Sequence, residues 1–196
     1  MLLTHLKQVP PMQCVLSSRS RALALATALM LGVASPASAD SDFVETSGRV
    51  LMFALPAAGG AYALYKGDRQ GLFQIGASVV SAYGASYLLQ QVVKEERPDH
   101  SGWDSFPSDS TAIAFSAASS IQIRYGWDYG LPAYAIAAYV GYSRVEADKH
   151  HWGDVAVGAL IGWAAGWLLT DPYEEMPAMQ VYADTKGAAV NLRWTF

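Results

Sequence analysis

The chain has 196 residues, 13 basic against 17 acidic, a formal charge of −4, with 52% of it apolar and 15% charged. That is one domain's length, with too much apolar surface for a disordered chain. The acidic balance argues against nucleic acid, which wants a basic face. A single cysteine excludes a disulfide framework and a cysteine-rich metal site.

Residues 1–21 contain Lys7, Arg19 and Arg21 and no acidic side chain. An uninterrupted apolar or small-residue run follows from Ala22 to Ala34, then Pro36 and Ala37-Ser38-Ala39. A basic segment, a short apolar segment and an A-x-A site describe a secretory signal peptide. The run is shorter than the ~20 residues of a membrane span. No lipobox surrounds Cys14, and Met12 would serve as an alternative start. Cleavage after Ala39 would leave 157 residues, a net charge of −7 and no cysteine. Such a chain suits an oxidising compartment, so an exported, periplasmic protein is expected.

Beyond a polar lead-in over Asp40–Gly48, five apolar segments follow: Val50–Tyr65, Leu72–Val93, Ser110–Ile123, Tyr129–Ser143 and Val155–Thr170. In the second, Leu72, Ile75, Val79, Tyr83, Tyr87 and Leu88 recur mostly at three- and four-residue spacing, a helical period. Pro56 and Gly59-Gly60 should kink or split the first. Polar turns are expected at Lys66–Gly71, Asp99–Phe106, Tyr125–Tyr129 and Glu146–Lys149. Four of the five uncharged runs fall short of a span, which favours a soluble bundle with at most peripheral membrane contact.

Near the C-terminus, Met179–Ala183 alternates weakly, and Asp184-Thr185-Lys186-Gly187 offers a turn. Val190, Leu192, Trp194 and Phe196 then alternate with polar residues, as in a β-hairpin. The expected fold class is therefore all-α: a compact helical bundle of about five to six helices with a short C-terminal β-hairpin. Its parts would be a signal peptide (1–39), a helical domain (40–175) and a hairpin tail (176–196).

Three clusters carry chemistry. In Ser143-Arg144-Val-Glu-Ala-Asp-Lys-His150-His151-Trp-Gly-Asp154, His150 and Asp154 are four apart and share a helical face. A carboxylate there can hold one imidazole nitrogen as donor and leave the other lone pair free to attack. Arg144 adds a positive fork suited to phosphate oxygens. The histidine pair alone would equally suit a metal, but no third or fourth ligand lies at useful spacing. In the second cluster, Gln90, Lys94 and Arg97 fall on one helical face that Pro98 would end. Those cations could grip a phosphate or simply favour the helix dipole. The third, Ser105-Phe106-Pro107-Ser108-Asp109-Ser110-Thr111, supplies a helix N-cap and an N-terminus suited to an anion.

In this order the clusters resemble the type 2 phosphatidic acid phosphatase and vanadium haloperoxidase superfamily, whose pattern is K-x6-R-P, then P-S-G-H, then S-R-x5-H-x3-D. The likeness runs from about Phe73 to Leu169 and matches the third motif in full at Ser143, Arg144, His150 and Asp154. It implies an all-α bundle and a phosphohistidine intermediate, with no cofactor and no metal. By that resemblance His150 attacks phosphorus and Asp154 orients it. Arg97 and Arg144 neutralise the phosphoryl oxygens, and Ser108 with the amides at Asp109 and Ser110 completes the phosphate cradle.

Two positions depart from the pattern. Gln90 stands where the first motif has lysine, and Lys94, one turn on, would substitute in part. Asp109-Ser110 replaces Gly-His, which removes the histidine that protonates the leaving alcohol and adds a negative charge. A lost general acid costs ~10²–10⁴ in rate. His100 or His151 could stand in for it. Two functions follow: a phosphatase for phosphomonoesters or diphosphates of the lipid phosphate class or a small phosphoester, weakened by the missing acid, or an impaired relative that binds phosphate or a lipid headgroup without turnover.

Overall fold

The computed structural model describes residues 41–173, 178–184 and 187–193. Five helices make up the bundle: α1 (Ser41–Tyr65), α2 (Arg69–Val92), α3 (Asp109–Tyr125), α4 (Trp127–Glu146) and α5 (Trp152–Leu169). Strands β1 (Ala178–Asp184) and β2 (Gly187–Arg193) pair antiparallel, with Val181 opposite Val190. The expected signal peptide, the turn at Thr185-Lys186 and the terminal Trp194 and Phe196 lie outside the described residues.

Local chemistry sets most helix ends. The Asp68 carboxylate accepts from the Gly71 N–H at 2.8 Å and starts α2, and Ser108 caps α3 through the Thr111 N–H. Gly126, at φ +86°, ends α3 and begins α4 in one residue, a corner that favours glycine. Two expectations at α1 are corrected. The polar lead-in is helical from Ser41, and the helix runs unsplit through Pro56 to Tyr65. Packing explains the second result. A Cβ at Gly59 would meet Ile121 at 3.0 Å, and one at Gly60 would meet Leu72 at 3.2 Å. The glycines thus bring α1 close to its neighbours instead of breaking it.

Helix α3 is central and packs against the other four. Its Ala112, Ala114, Ala117 and Ala118 are fully buried in the core with Met52, Leu55, Ile121, Ala137 and Val140. Most of the large apolar residues whose spacing marks α2 as a helix face outward. On α2 the buried face is Gly71, Gln74, Ile75, Ser78, Ala82, Ser86 and Gln90. Of the six residues that carry the periodicity, Leu72, Tyr83, Tyr87 and Leu88 are exposed, Ile75 is buried and Val79 packs against the core; Trp163, Trp167 and Leu168 of α5 are exposed as well. Small hydroxyl residues fill the helix contacts. Ser78 bonds the Gln74 carbonyl at 2.8 Å, Ser119 the Trp163 carbonyl at 3.1 Å, and Thr170 donates to Ser120 at 2.9 Å. Small inward and large outward residues are how helices pack in lipid. By length and composition α2 and α5 could each cross a membrane; for α2 the run is already long enough, and for α5 this overturns the length argument, because the helix begins at Trp152, ahead of its uncharged run.

A buried polar lock closes one end of the bundle. The Arg124 guanidinium pairs with Asp68, Nε to Oδ2 at 2.6 Å, and donates to the Asp171 carbonyl at 2.9 Å. It thereby ties the α1–α2 turn to the ends of α3 and α5. The Arg124 bond holds the Asp68 carboxyl below its ordinary range.

A glycine ladder holds α3 and α5 together along their length. Gly158, Gly162 and Gly166 lie on one face of α5, and Cβ atoms at the first two would run into the carbonyl oxygens of Ser108 and Ala112. The backbones of α3 and α5 therefore touch. Gly162→Ala should force them apart at a cost of about 1–3 kcal/mol, read as a fall in Tm. Gly76→Ala, which has open space at its Cβ, should leave Tm unchanged or slightly higher.

Candidate active site

The docked N-termini of α3 and α5 hold the functional side chains. Between α2 and α3 the chain forms a loop whose ends pair. Ser105 N–H donates to the Glu95 carbonyl at 3.0 Å, Arg97 N–H to the Gly102 carbonyl at 2.9 Å, and Phe106–Pro107 is cis. Gln90 is buried and donates to the Pro107 carbonyl at 3.0 Å. It therefore pins this loop, where a lysine would have offered charge. A second tie runs from Lys149 Nζ to Asp99 Oδ2 at 2.6 Å, joining the loop to the α4–α5 turn.

His150 is 3% exposed and Asp154 1%. The direct partner of His150 is the Ser105 carbonyl, 2.7 Å from Nδ1. A carbonyl only accepts, so Nδ1 carries the hydrogen and the Nε2 lone pair of the neutral ring is free. Asp154 Oδ2 lies 3.8 Å from that Nδ1, beyond hydrogen-bond reach. It accepts instead from Ser105 Oγ at 2.5 Å and from the His151 N–H at 2.7 Å. Ser105 thus touches both members of the pair. The sequence placed it inside the third cluster but gave it no role, because a carbonyl contact leaves no trace in residue type. Burial pushes the His150 imidazole below its usual pKa, against the pull of the Ser105 carbonyl.

The two selected arginines are each only partly paired. Arg144 is buried and donates from Nη2 to the Glu45 carbonyl of α1 at 2.9 Å. Arg97 donates from Nη2 to Asp104 at 2.8 Å. In both, the buried Nε–H has no acceptor among the described residues. A buried unpaired donor costs about 1–3 kcal/mol, and on a cation it invites an anion. The charges of Asp109, Arg97 and Asp154 all act on His150, and those of Asp109 and Arg97 act on Arg144.

Other expected site residues fall differently. Ser108 is fully buried, and its hydroxyl is engaged with Thr111 at 2.9 Å as a cap. Asp109 and Ser110 are half-buried, and Asp109 Oδ1 accepts from the Ser110 N–H at 2.6 Å. Lys94 does not share a helical face with Gln90: α2 ends at Val92, and Lys94 and Arg97 follow in the loop. Lys94 is exposed and unpaired among the described residues. His100 is exposed and paired with Glu96 at 2.8 Å.

The chain matches the profile of the PAP2 superfamily over residues 71–174. It is 31% identical to a lipid A 4'-phosphatase from Helicobacter pylori over 168 residues, covering 79% of this chain and 84% of that protein. It is 37% identical over 76 residues to a lipid A 1-phosphatase from Porphyromonas gingivalis, covering 37% of this chain and 17% of the other. Among solved structures, LpxE of Aquifex aeolicus aligns at 23% identity and a TM-score of 0.44, covering 74% of this chain and 92% of that one. The chain belongs to the PAP2 superfamily, the type 2 phosphatidic acid phosphatases.

His150 should gain its proton at lower pH than an ordinary histidine. The native state then binds fewer protons than the unfolded chain as the pH falls through the imidazole range. The stability His150 contributes is full above that range and is lost as the pH falls through it. An NMR titration should show His150 gaining its proton below the ordinary histidine range; protonation within or above that range would remove the assigned environment.

Proposed function

We propose that this chain is an exported, membrane-associated phosphatase of phosphorylated lipids, in the class of its lipid A phosphatase relatives, working through a phosphohistidine. One observation carries the reading: a buried, neutral imidazole with a free Nε2 shares the charges of Arg97 and Asp109 with Arg144, and the Nε–H donors of both arginines lack acceptors among the described residues.

In the first step His150 Nε2 attacks phosphorus and the bond to the leaving oxygen breaks. The ring becomes a phospho-imidazolium, its positive charge stabilised by the Ser105 carbonyl at Nδ1 and by the nearby Asp154 carboxylate. Arg97 and Arg144 neutralise the phosphoryl oxygens, the larger part of what phosphoryl transfer requires. Water then attacks phosphorus, releasing inorganic phosphate and the neutral imidazole. Each part has support on the page: the tautomer from the Ser105 bond, the cradle from the orphaned donors. No metal enters these steps.

The departures bear on the leaving group. Ser110 cannot supply a proton near neutral pH, so an alcohol must leave without a strong acid. A diphosphate needs less help, because phosphate itself departs as a stable anion. We therefore place diphosphates of lipids first among substrates and monoesters second. Gln90, a neutral amide spent on the Pro107 carbonyl where the family pattern has a lysine, favours the second reading: a relative that holds a phosphate headgroup without turning it over.

The export signal over 1–39 and the apolar, outward-facing side chains of α2 and α5 support the localisation. Such faces, over buried serines, fit a bundle seated in a bilayer beside its substrate. The domain limits of 40–175 for the catalytic bundle and 176–196 for a hairpin tail belong to this reading.

Two experiments test it. With a lipid monoester and a lipid diphosphate as substrates, His150→Ala should abolish turnover of both, whereas His151→Ala should only weaken it. Activity retained in His150→Ala would remove the mechanism. Asp109→Gly with Ser110→His should raise monoester hydrolysis by ~10² or more, and diphosphate hydrolysis less. A silent parent that this change does not rescue would leave the binding-only reading in front.

A further inference from the structure

A second cluster lies on the rim beside Asp154. His151 Nδ1 stands 3.4 Å from Asp154 Oδ2 and 3.5 Å from Glu95 Oε1. The ligand atoms of Glu95, His151 and Asp154 all lie within 4.8 Å of one another. The sequence hid this group, because Glu95 is far along the chain from the histidine pair and gives no ligand spacing. Folding brings it close through the Ser105-to-Glu95 backbone bond.

The distances separate two explanations. A protonated His151 paired with a carboxylate would draw one oxygen to about 2.7–2.9 Å. Neither contact is that short. The ligand atoms around a tetrahedral zinc, with bonds of 2.0–2.2 Å, stand about 3.3–3.5 Å apart. Both contacts to His151 match that edge. The third side is closed by a small swing of Glu95, which is partly exposed.

The three ligands are also held in place without a cation. Asp154 is fixed by Ser105 Oγ and the His151 N–H, His151 is the N-cap of α5 in a capping box with Asp154, and Glu95 is tied by its backbone bridge to Asp104. Among the described residues, neither carboxylate pairs with a lysine or an arginine. Two carboxylates and one imidazole, with His151 half exposed, leave a side open to solvent. That donor set suits zinc and its first-row neighbours more than calcium or magnesium, which prefer oxygen alone.

We propose that Glu95, His151 and Asp154 form a binding site for a first-row divalent cation of the zinc class, and that its occupation inhibits the enzyme. The inhibition follows from the shared carboxylate. A cation on Asp154 cancels the negative charge that would stabilise a positive ring at His150, 3.8 Å away. Zinc in solution would then act as a reversible brake. Only the inhibition rests on the function proposed above; the binding does not.

The test uses the tag-free, detergent-solubilised chain titrated with cobalt(II), with zinc as competitor. One cobalt per chain should bind, develop visible absorption and be displaced by zinc. His151→Ala should weaken binding by more than the ~10–100-fold that loss of an outer-shell partner costs, and Glu95→Gln should weaken it at least tenfold. Turnover, taken relative to each protein's own metal-free rate, should fall with zinc in the parent and resist zinc in both variants. Absence of saturable cobalt binding, or equal affinity in parent and variants, overturns the site. Loaded parent turning over at its metal-free rate overturns the role of Asp154. If the metal-free parent has no phosphatase activity, the proposed function fails and the cobalt titration alone decides the site.

Discussion

Helix α5 reaches α3 only because Gly158, Gly162 and Gly166 leave no side chain between their backbones. Everything at the candidate active site hangs from that contact. It brings the start of α5 beside the start of α3, where the Ser108 N–H donates to the Asp154 carbonyl at 3.1 Å. The loop before α3 then passes over the start of α5, so the Ser105 carbonyl meets His150 and the Ser105 hydroxyl meets Asp154. A wider helix pair would separate the nucleophile from the group that sets its tautomer. The Arg124–Asp68 lock at the far end keeps the same helices from splaying.

Much of this was legible in the residues. Five helices were readable from apolar runs between polar turns, and residue type put a cap at Ser108, Asp109 or Ser110, of which the fold uses Ser108. His150, Arg97 and Arg144 were picked out from spacing, charge and the family pattern, and folding sets Arg97 and Asp109 to act on both His150 and Arg144. What the sequence did not disclose has physical causes. The acceptor for His150 is a backbone carbonyl, which any residue carries. Lys94 was placed on a helix that stops two residues earlier, at Val92, and boundaries depend on where the loop finds its own hydrogen bonds. Glu95 came to the site through a loop closure that local spacing does not encode.

The polarity of the bundle was the larger surprise. Periodic Leu, Tyr and Val on α2 describe a helix correctly, but not which way it faces. In water the large apolar face turns inward; here serine, alanine and glycine do. Periodicity gives the same signal in both cases. The discriminating feature is residue size along the opposite stripe, where small side chains permit close helix contact. A phosphatase of this build would meet its lipid at the polar end of the bundle, where Arg97, Arg144 and His150 are gathered.

The most direct measurement is a single turnover of a lipid diphosphate carrying a radiolabelled terminal phosphate, quenched in base and followed by peptide mapping. Label on Nε2 of His150, lost on acidification, is the expected result, since Nδ1 is committed to Ser105. Complete turnover with no label on His150, or label on Nδ1 or on His151, would contradict the assignment of the nucleophile.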